Sequence, residues 1–436
     1  MLTNRSFFNV LNLSKLRWLT LAMLAALLSG CATSGGMGAS VSKSIPLLKP
    51  QQEISESQLL DVSIVLFDPG ELPKGDAARG LSMEIREAEA RYIPIHLRSV
   101  MEKTGYWGAV RVVPASAEGS ELEVHGTILG SDGEIVSLKI QALDAGGRQW
   151  YSRTYRGKTS AEDYNSIAPG TDGFQPVYRA IANDLARFRD NLSDDDRRHI
   201  RQIADMRFAA DMAPDAFAGH INKDEKGRYH LLRLPAEDDP AYQRVQVIRD
   251  RDFLLIDTLN GHYDNYYREM RVPYEEWRKA RSIEKEALRE VKRKANTNKA
   301  LGIAAIIAAI AIEVTGSRST RAQTGTLRDV MVLGGAYAIK RGMDINAQST
   351  IHEEEISELG TAFSAETEPL VVEVDGEVLK LKGSAEAQYA KWRELMRKIY
   401  ASETGLPAEA GIGAAETKTE IKETEQSTGS PASHPR

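Results

Sequence analysis

The chain has 436 residues, of which 42% are apolar and 27% charged, and its formal net charge is −6. That balance excludes a polytopic membrane protein, a fully disordered chain and a strongly basic nucleic-acid binder, and the length suits roughly two to three domains. A single cysteine excludes an intrachain disulfide and a cysteine-rich metal site.

Arg5, Lys15 and Arg17 give a basic start, with no acidic residue before Cys31. An apolar run from Trp18 to Leu28 follows and ends in Leu28-Ser29-Gly30-Cys31. A basic stretch, a short apolar core and small residues at a cut site describe a secretory signal over residues 1–30. The run would make about 16 Å of helix, against a hydrocarbon layer of roughly 30 Å, so a spanning helix is not expected.

Leu28-Ser29-Gly30-Cys31 resembles the lipobox of bacterial lipoproteins. The resemblance implies that the Cys31 thiol receives a diacylglyceryl group, that the signal is cut before it and that the new amino terminus is acylated. Small side chains at Ser29 and Gly30 let a peptidase approach the backbone. The residue after the cysteine is Ala32, not Asp, which resembles the outer-membrane sorting pattern of Gram-negative lipoproteins. Residues 31–60 then read as the lipidated cysteine and a flexible tether rich in Ser, Gly, Lys and Gln, with Pro46 and Pro50. Ser40-Val41-Ser42-Lys43 matches the Ser-x-x-Lys spacing of penicillin-binding enzymes, but in a tether it reads as chance.

Residues 61–192 predict a compact α/β domain. Val62, Ile64 and Leu66 alternate as in a strand that ends at Asp68-Pro69-Gly70. Ser82 to Lys103 predicts a helix, kinked or restarted at Pro94 and stopped at Gly105. Ala109 to Val113 is a second strand. Glu121–Leu129, Glu134–Leu143 and Arg148–Tyr155 predict a meander with turns at Ser131-Asp132-Gly133 and Asp144-Ala145-Gly146-Gly147. Gly126 should mark a bulge or a close backbone approach. Phe174, Val177, Tyr178, Ile181, Leu185 and Phe188 form one helical stripe, against which Trp150 should pack. This element order weakly resembles the periplasmic domains of curli-secretion lipoproteins, TolB-like proteins and auxiliary lipoproteins of envelope ABC transporters. The resemblance implies a non-enzymatic part of a periplasmic complex. The polar alternate faces of the meander do not extend it to a pore.

Residues 193–402 predict a mostly helical domain. Ser193 and Asp196 resemble a capping box. A long helix should run from Ala241 to Arg271, with Pro273 opening the next. The surface then turns basic at Arg289, Lys292, Arg293, Lys294 and Lys299. Leu301–Ile312 and Leu327–Met343 predict an apolar, small-residue helical hairpin, 301–343, expected to be mostly buried. A helix over Ile351–Phe363, a β-hairpin around Asp375-Gly376 and an amphipathic helix over Ala385–Tyr400 follow. Residues 403–436 read as a disordered tail. The fold class expected is α+β, a small α/β domain with an antiparallel meander followed by a helical domain with a C-terminal β-hairpin.

No catalytic residue is expected. None of the eight histidines forms His-Glu-x-x-His. His220 and His230 could face each other across the Lys223–Gly227 turn, but a zinc site needs more ligands. Asp194-Asp195-Asp196 reads as helix capping, and Glu353-Glu354-Glu355 as a solvated face. Tyr263, Tyr266, Tyr267, Tyr274 and Trp277 read as helix packing rather than a glycan platform. The functional expectation is a lipoprotein anchored in the outer membrane by its N-terminal lipid and facing the periplasm. It would be a non-enzymatic scaffold or accessory subunit of an envelope assembly or transport complex. No metal, cofactor or nucleic acid is expected; protein partners and a homo-oligomer are. The alternatives are a membrane-remodelling or oligomer-forming protein using the 301–343 hairpin, and a peptidoglycan-acting enzyme.

Overall fold

The computed structural model describes residues 39–40, 44–74, 81–168, 171–297, 357–358, 370–374, 377–381 and 384–404. In chain order the elements are β1 (Ala39–Ser40), β2 (Leu60–Val65), α1 (Met83–Glu102), β3 (Trp107–Val113), β4 (Leu122–Ser131), β5 (Ile135–Asp144) and β6 (Gln149–Lys158). Then come α2 (Ala161–Ser166), α3 (Gln175–Asp190), α4 (Asp194–Met212), α5 (Pro214–Phe217), β7 (Ile221–Lys223) and β8 (Tyr229–Leu231). The long helix α6 (Pro240–Thr297), the strands β9 (Leu370–Val374) and β10 (Glu377–Leu381), and α7 (Ala385–Thr404) complete the set. The protein is of the α+β class.

Six strands form one sheet in the order β1-β6-β5-β4-β2-β3. The β4–β5–β6 meander is antiparallel, whereas β2 runs parallel to both β3 and β4. Alternation along the strands buries one face. Leu122, Val124 and Ile128 on β4 and Val136, Leu138, Ile140 and Ala142 on β5 are fully inaccessible. Helices α1 and α3 cover that face with Ile85, Ala88, Tyr92, Val177, Ile181 and Leu185. Trp150 is buried and stacks on Phe188 of α3 at a centroid distance of 4.7 Å, as the stripe on that helix predicts. Gly126 lies in regular register opposite Ile140, not at a bulge. The close approach is real, because a Cβ there would meet the Phe67 ring at 2.4 Å, and Gly126 O accepts from Asp68 N. The irregularity falls two residues later, between Ile128 and Gly130.

Both prolines expected to interrupt helices lie inside continuous ones. Pro94 lacks the N–H that would bond Ala90 O, and the Phe67 N–H takes its place at 3.0 Å. Pro273 does not open a new helix. α6 runs through it for 58 residues, with Met270, Tyr274 and Trp277 buried on either side of the proline. Packing of both flanks against the same body outweighs the missing hydrogen bond. The Ser193–Asp196 capping box is complete in both directions.

Two boundaries differ from expectation. The stretch read as a free tether is attached at Ala39–Ser40, which pair with β6, and again from Ile45, whose carbonyl accepts from Arg179. Leu47, Leu48 and Ile54 pack on the core, Leu48 N donates to Asn183 Oδ1 at 2.8 Å, and Asn183 Nδ2 donates to Pro46 O at 2.9 Å. The polar composition hid a few apolar anchors that find a mate on α3. The core also has no gap at residue 192, since one apolar cluster runs from Leu60 to Tyr400. α6 supplies the continuity. Asn260 covers the exposed edge of β3 by accepting from Val112 N at 2.8 Å and donating to Val112 O at 2.9 Å. Its amide thereby replaces a neighbouring strand at a sheet edge. β9 and β10 pair in antiparallel register with Val374 opposite Glu377. The 301–343 hairpin, the Ile351–Phe363 helix apart from two helical residues, and the tail beyond Thr404 lie outside the described residues.

Candidate functional site

The most concentrated chemistry is a buried polar cluster where α1, the start of α3 and α6 meet. Arg278 of α6 and Asp172, just before α3, are 0% and 1% exposed and bond at 2.7 Å. Arg278 also donates to the Tyr274 hydroxyl at 2.6 Å and lies 3.8 Å above that ring. Tyr274 bonds to Glu89 of α1, which accepts from Ser131 as well. Arg86, one turn before Glu89, donates to Ile128 O and Ser131 O at 3.3 Å each. Those carbonyls flank the irregularity in β4. The guanidinium thus satisfies backbone acceptors near a ladder disturbance that would otherwise be buried unpaired.

His96 joins this cluster from the other side. Its Nε2 lies 2.9 Å from Gln175 Oε1, which requires a proton on that nitrogen. Nδ1 is then the acceptor for the Tyr267 hydroxyl at 2.7 Å. Burial pushes the imidazole pKa below its usual value, so the ring is neutral at pH 7. Burial alone would raise Asp172, but Arg278, His96 and the Phe174 N–H hold its carboxyl below the ordinary range. The Tyr274 hydroxyl is pushed well above its normal range by burial.

A cleft of about 240 Å³ opens beside this cluster, between the end of β6, α2 and the start of α3. Asp172 and Gln175 form part of its wall, yet both are bonded inward to Arg278 and His96. Asp163 caps α2 in a reciprocal box with Ser160. Asp172 and Gln175 therefore fasten one element to another, while Asp163 fixes the start of its own helix. Arranged this way, the cluster locks α6 onto the sheet domain.

A second clamp holds α7. Arg393 donates to Asp252 of α6 at 3.0 Å and to Asp211 of α4 at 2.6 Å, and Trp392 Nε1 donates to Asp252 at 3.1 Å. Burial raises the Asp252 carboxyl despite these partners.

The candidates drawn from sequence take ordinary structural places. Tyr263, Tyr266, Tyr274 and Trp277 are buried in helix packing. His220 and His230 have separate partners, Arg233 O at 3.2 Å and Asp224 at 3.1 Å. Asp194 and Asp195 pair with Arg197 and Arg198 in the first turn of α4. Arg289 pairs with Glu134. Leu28, Ser29, Gly30, Cys31 and Ala32 lie outside the described residues, as do the glutamates 353–355. Among the described residues no helix is long and apolar enough to cross a membrane, and no group of three or more potential ligands could hold a metal ion. The sequence reading missed the Arg278–Asp172–Glu89 cluster, whose members lie up to 189 positions apart and share no local motif. Only a charged residue on an apolar stripe of α6 hinted at it. Compared with protein families, curated proteins and solved structures, the chain matches none.

Proposed function

We propose that the chain is an outer-membrane lipoprotein, anchored through Cys31 and facing the periplasm, that acts as a non-enzymatic scaffold or accessory subunit of an envelope assembly or transport complex. The observation that carries this reading is α6. Its 58 residues make about 87 Å of helix. It is tied to α1 and the start of α3 by Arg278 and Tyr274, to β3 by Asn260, and to α7 by Asp252. A clamped helix of that length holds distant surfaces at a constant spacing, which suits assembly. The Leu28–Cys31 pattern supplies the anchor.

The test is fractionation and crosslinking in native envelopes. The expected result is an acylated Cys31 by mass spectrometry, recovery in the outer-membrane fraction, and one recurrent crosslinked protein complex retained after detergent extraction. An unmodified Cys31 removes the anchor from the proposal. A chain that extracts as a free monomer, with no crosslinked species, removes the scaffold.

A further inference from the structure

The second face of the sheet differs from the buried one. Pairing sets Ser137 opposite Arg156, Lys139 opposite Thr154 and Gln141 opposite Ser152. Thr127 and His125 of β4 continue these rows opposite Lys139 and Gln141. Directly paired residues share a face, and residues two apart stay on it. The result is a grid of hydroxyls, amides and cations in which Lys139, Ser152, Arg156 and Lys158 are exposed. Among the described residues, Lys139 and Arg156 have no ion-pair partner. Lys158 shares Glu134, at 3.6 Å, with Arg289. The acidic side chains Glu123 and Asp61 lie at the far end of this face, Glu123 bonded to His125 and Asp61 to Arg111, each at 3.2 Å. Asp68 stands at the opposite border, beside Thr127.

The amino-terminal segment reaches the sheet at the same place. β1 pairs with β6, with Ala39 opposite Tyr155 and Ser40 opposite Arg156. Seven residues lie between Cys31 and Ala39, and the eight Cα-to-Cα steps that join the two span at most about 28 Å when fully extended. A lipid on Cys31 therefore holds the β6 edge within that distance of the bilayer.

We propose that the outer face of β5 and β6, centred on Lys139 and Arg156, is the membrane-facing surface of this protein, and that it lies against anionic phospholipid headgroups. Cations without ion-pair partners, on a face beside the entry of the anchored segment, suit a surface of phosphates. The orientation rests on the lipoprotein reading, whereas the charge pattern does not.

The experiment uses the lipidated chain reconstituted into vesicles of phosphatidylcholine, with or without phosphatidylglycerol. Cys31 is the one natural cysteine and its thiol is blocked as the diacylglyceryl thioether, so a cysteine introduced by Ser152→Cys reports alone. Glu87→Cys, on the exposed side of α1 across the sheet, is the control. The expected result is several-fold slower reaction of the Ser152→Cys protein with a water-soluble thiol reagent when phosphatidylglycerol is present. The Glu87→Cys protein should react at an unchanged rate. High salt, or Lys139→Glu with Arg156→Glu, should abolish the protection. Equal rates at position 152 in both vesicles, or protection at position 87 instead, overturns the proposal. Mass spectrometry of Cys31 in the same samples separates this failure from failure of the anchor. If Cys31 is unmodified, the same variants with Cys31→Ser added, mixed with vesicles in solution, must still show weaker, salt-sensitive protection at position 152, and its absence is equally decisive.

Discussion

The two junctions along α6 use the same chemical pair in different surroundings. Arg278 meets Asp172 with both side chains inaccessible, while Arg393 meets Asp252 and Asp211 with 5% and 16% of those carboxylates still exposed. At the first junction one carboxylate faces a guanidinium, a nearby imidazole and a backbone N–H, and its pKa falls. At the second, burial dominates and a second carboxylate shares the arginine, so the pKa of Asp252 rises. An arginine–aspartate pair is thus defined by its other neighbours as much as by its own geometry.

Breaking the first junction should have the largest effect. Asp172→Ala leaves the Arg278 charge buried without its partner and should cost about 3–5 kcal/mol, read from urea unfolding at neutral pH. Replacing both members, Asp172→Leu with Arg278→Met, should recover most of that loss. A double variant as unstable as the single one would mean that Tyr274 and Glu89 need the guanidinium independently of Asp172.

Arg393→Met tests the second junction. Its cost should be smaller, about 2 kcal/mol, because Asp252 can take a proton and Asp211 is partly solvated. The loss should also shrink on mild acidification. Asp252 has a raised folded pKa, so its ionised form opposes folding at neutral pH and that opposition is relieved as pH falls through the raised value. A loss that grows on acidification would contradict the raised carboxyl.

Asn260→Leu removes both bonds to the β3 edge and should cost about 1–3 kcal/mol. Faster hydrogen exchange at Val112 than at the meander core would locate the damage.

The smallest effect is the pH response of His96. Its folded pKa is depressed, so the unfolded chain takes up the proton first. Stability should therefore fall as pH drops below about 6.5, the usual imidazole value, until the folded pKa is reached. His96→Phe should flatten that part of the stability curve. An unchanged slope would show that His96 is not the group that titrates.

Much of the sheet domain was legible because its signals are local. Alternation in Val136, Leu138 and Ile140, the turn glycines Gly133 and Gly147 at φ of 83° and 75°, and the stripe on α3 each depend on residues within a few positions. The candidate cluster was not legible. Arg278, Asp172, Glu89 and Ser131 carry no shared spacing, and each alone resembles a surface residue. The expected break at Pro273 failed for the same reason. The local preference against proline was sound, but it competed with burial of Met270, Tyr274 and Trp277.

The sequence by itself determined the elements of this protein: which stretches alternate, which wind, where chains turn, and that a Leu28-Ser29-Gly30-Cys31 pattern precedes them. Those features follow from backbone sterics and from periods of about two and 3.6 residues, which a chain displays without folding. Only the tertiary structure decided that α6 passes through its proline, that Ile45, Pro46 and Leu48 lie on α3, and that the two regions share a core. It also decided that Ser40 comes to rest beside Arg156. Such outcomes depend on contacts between residues a hundred or more positions apart, where burial and ion pairing outweigh local preference.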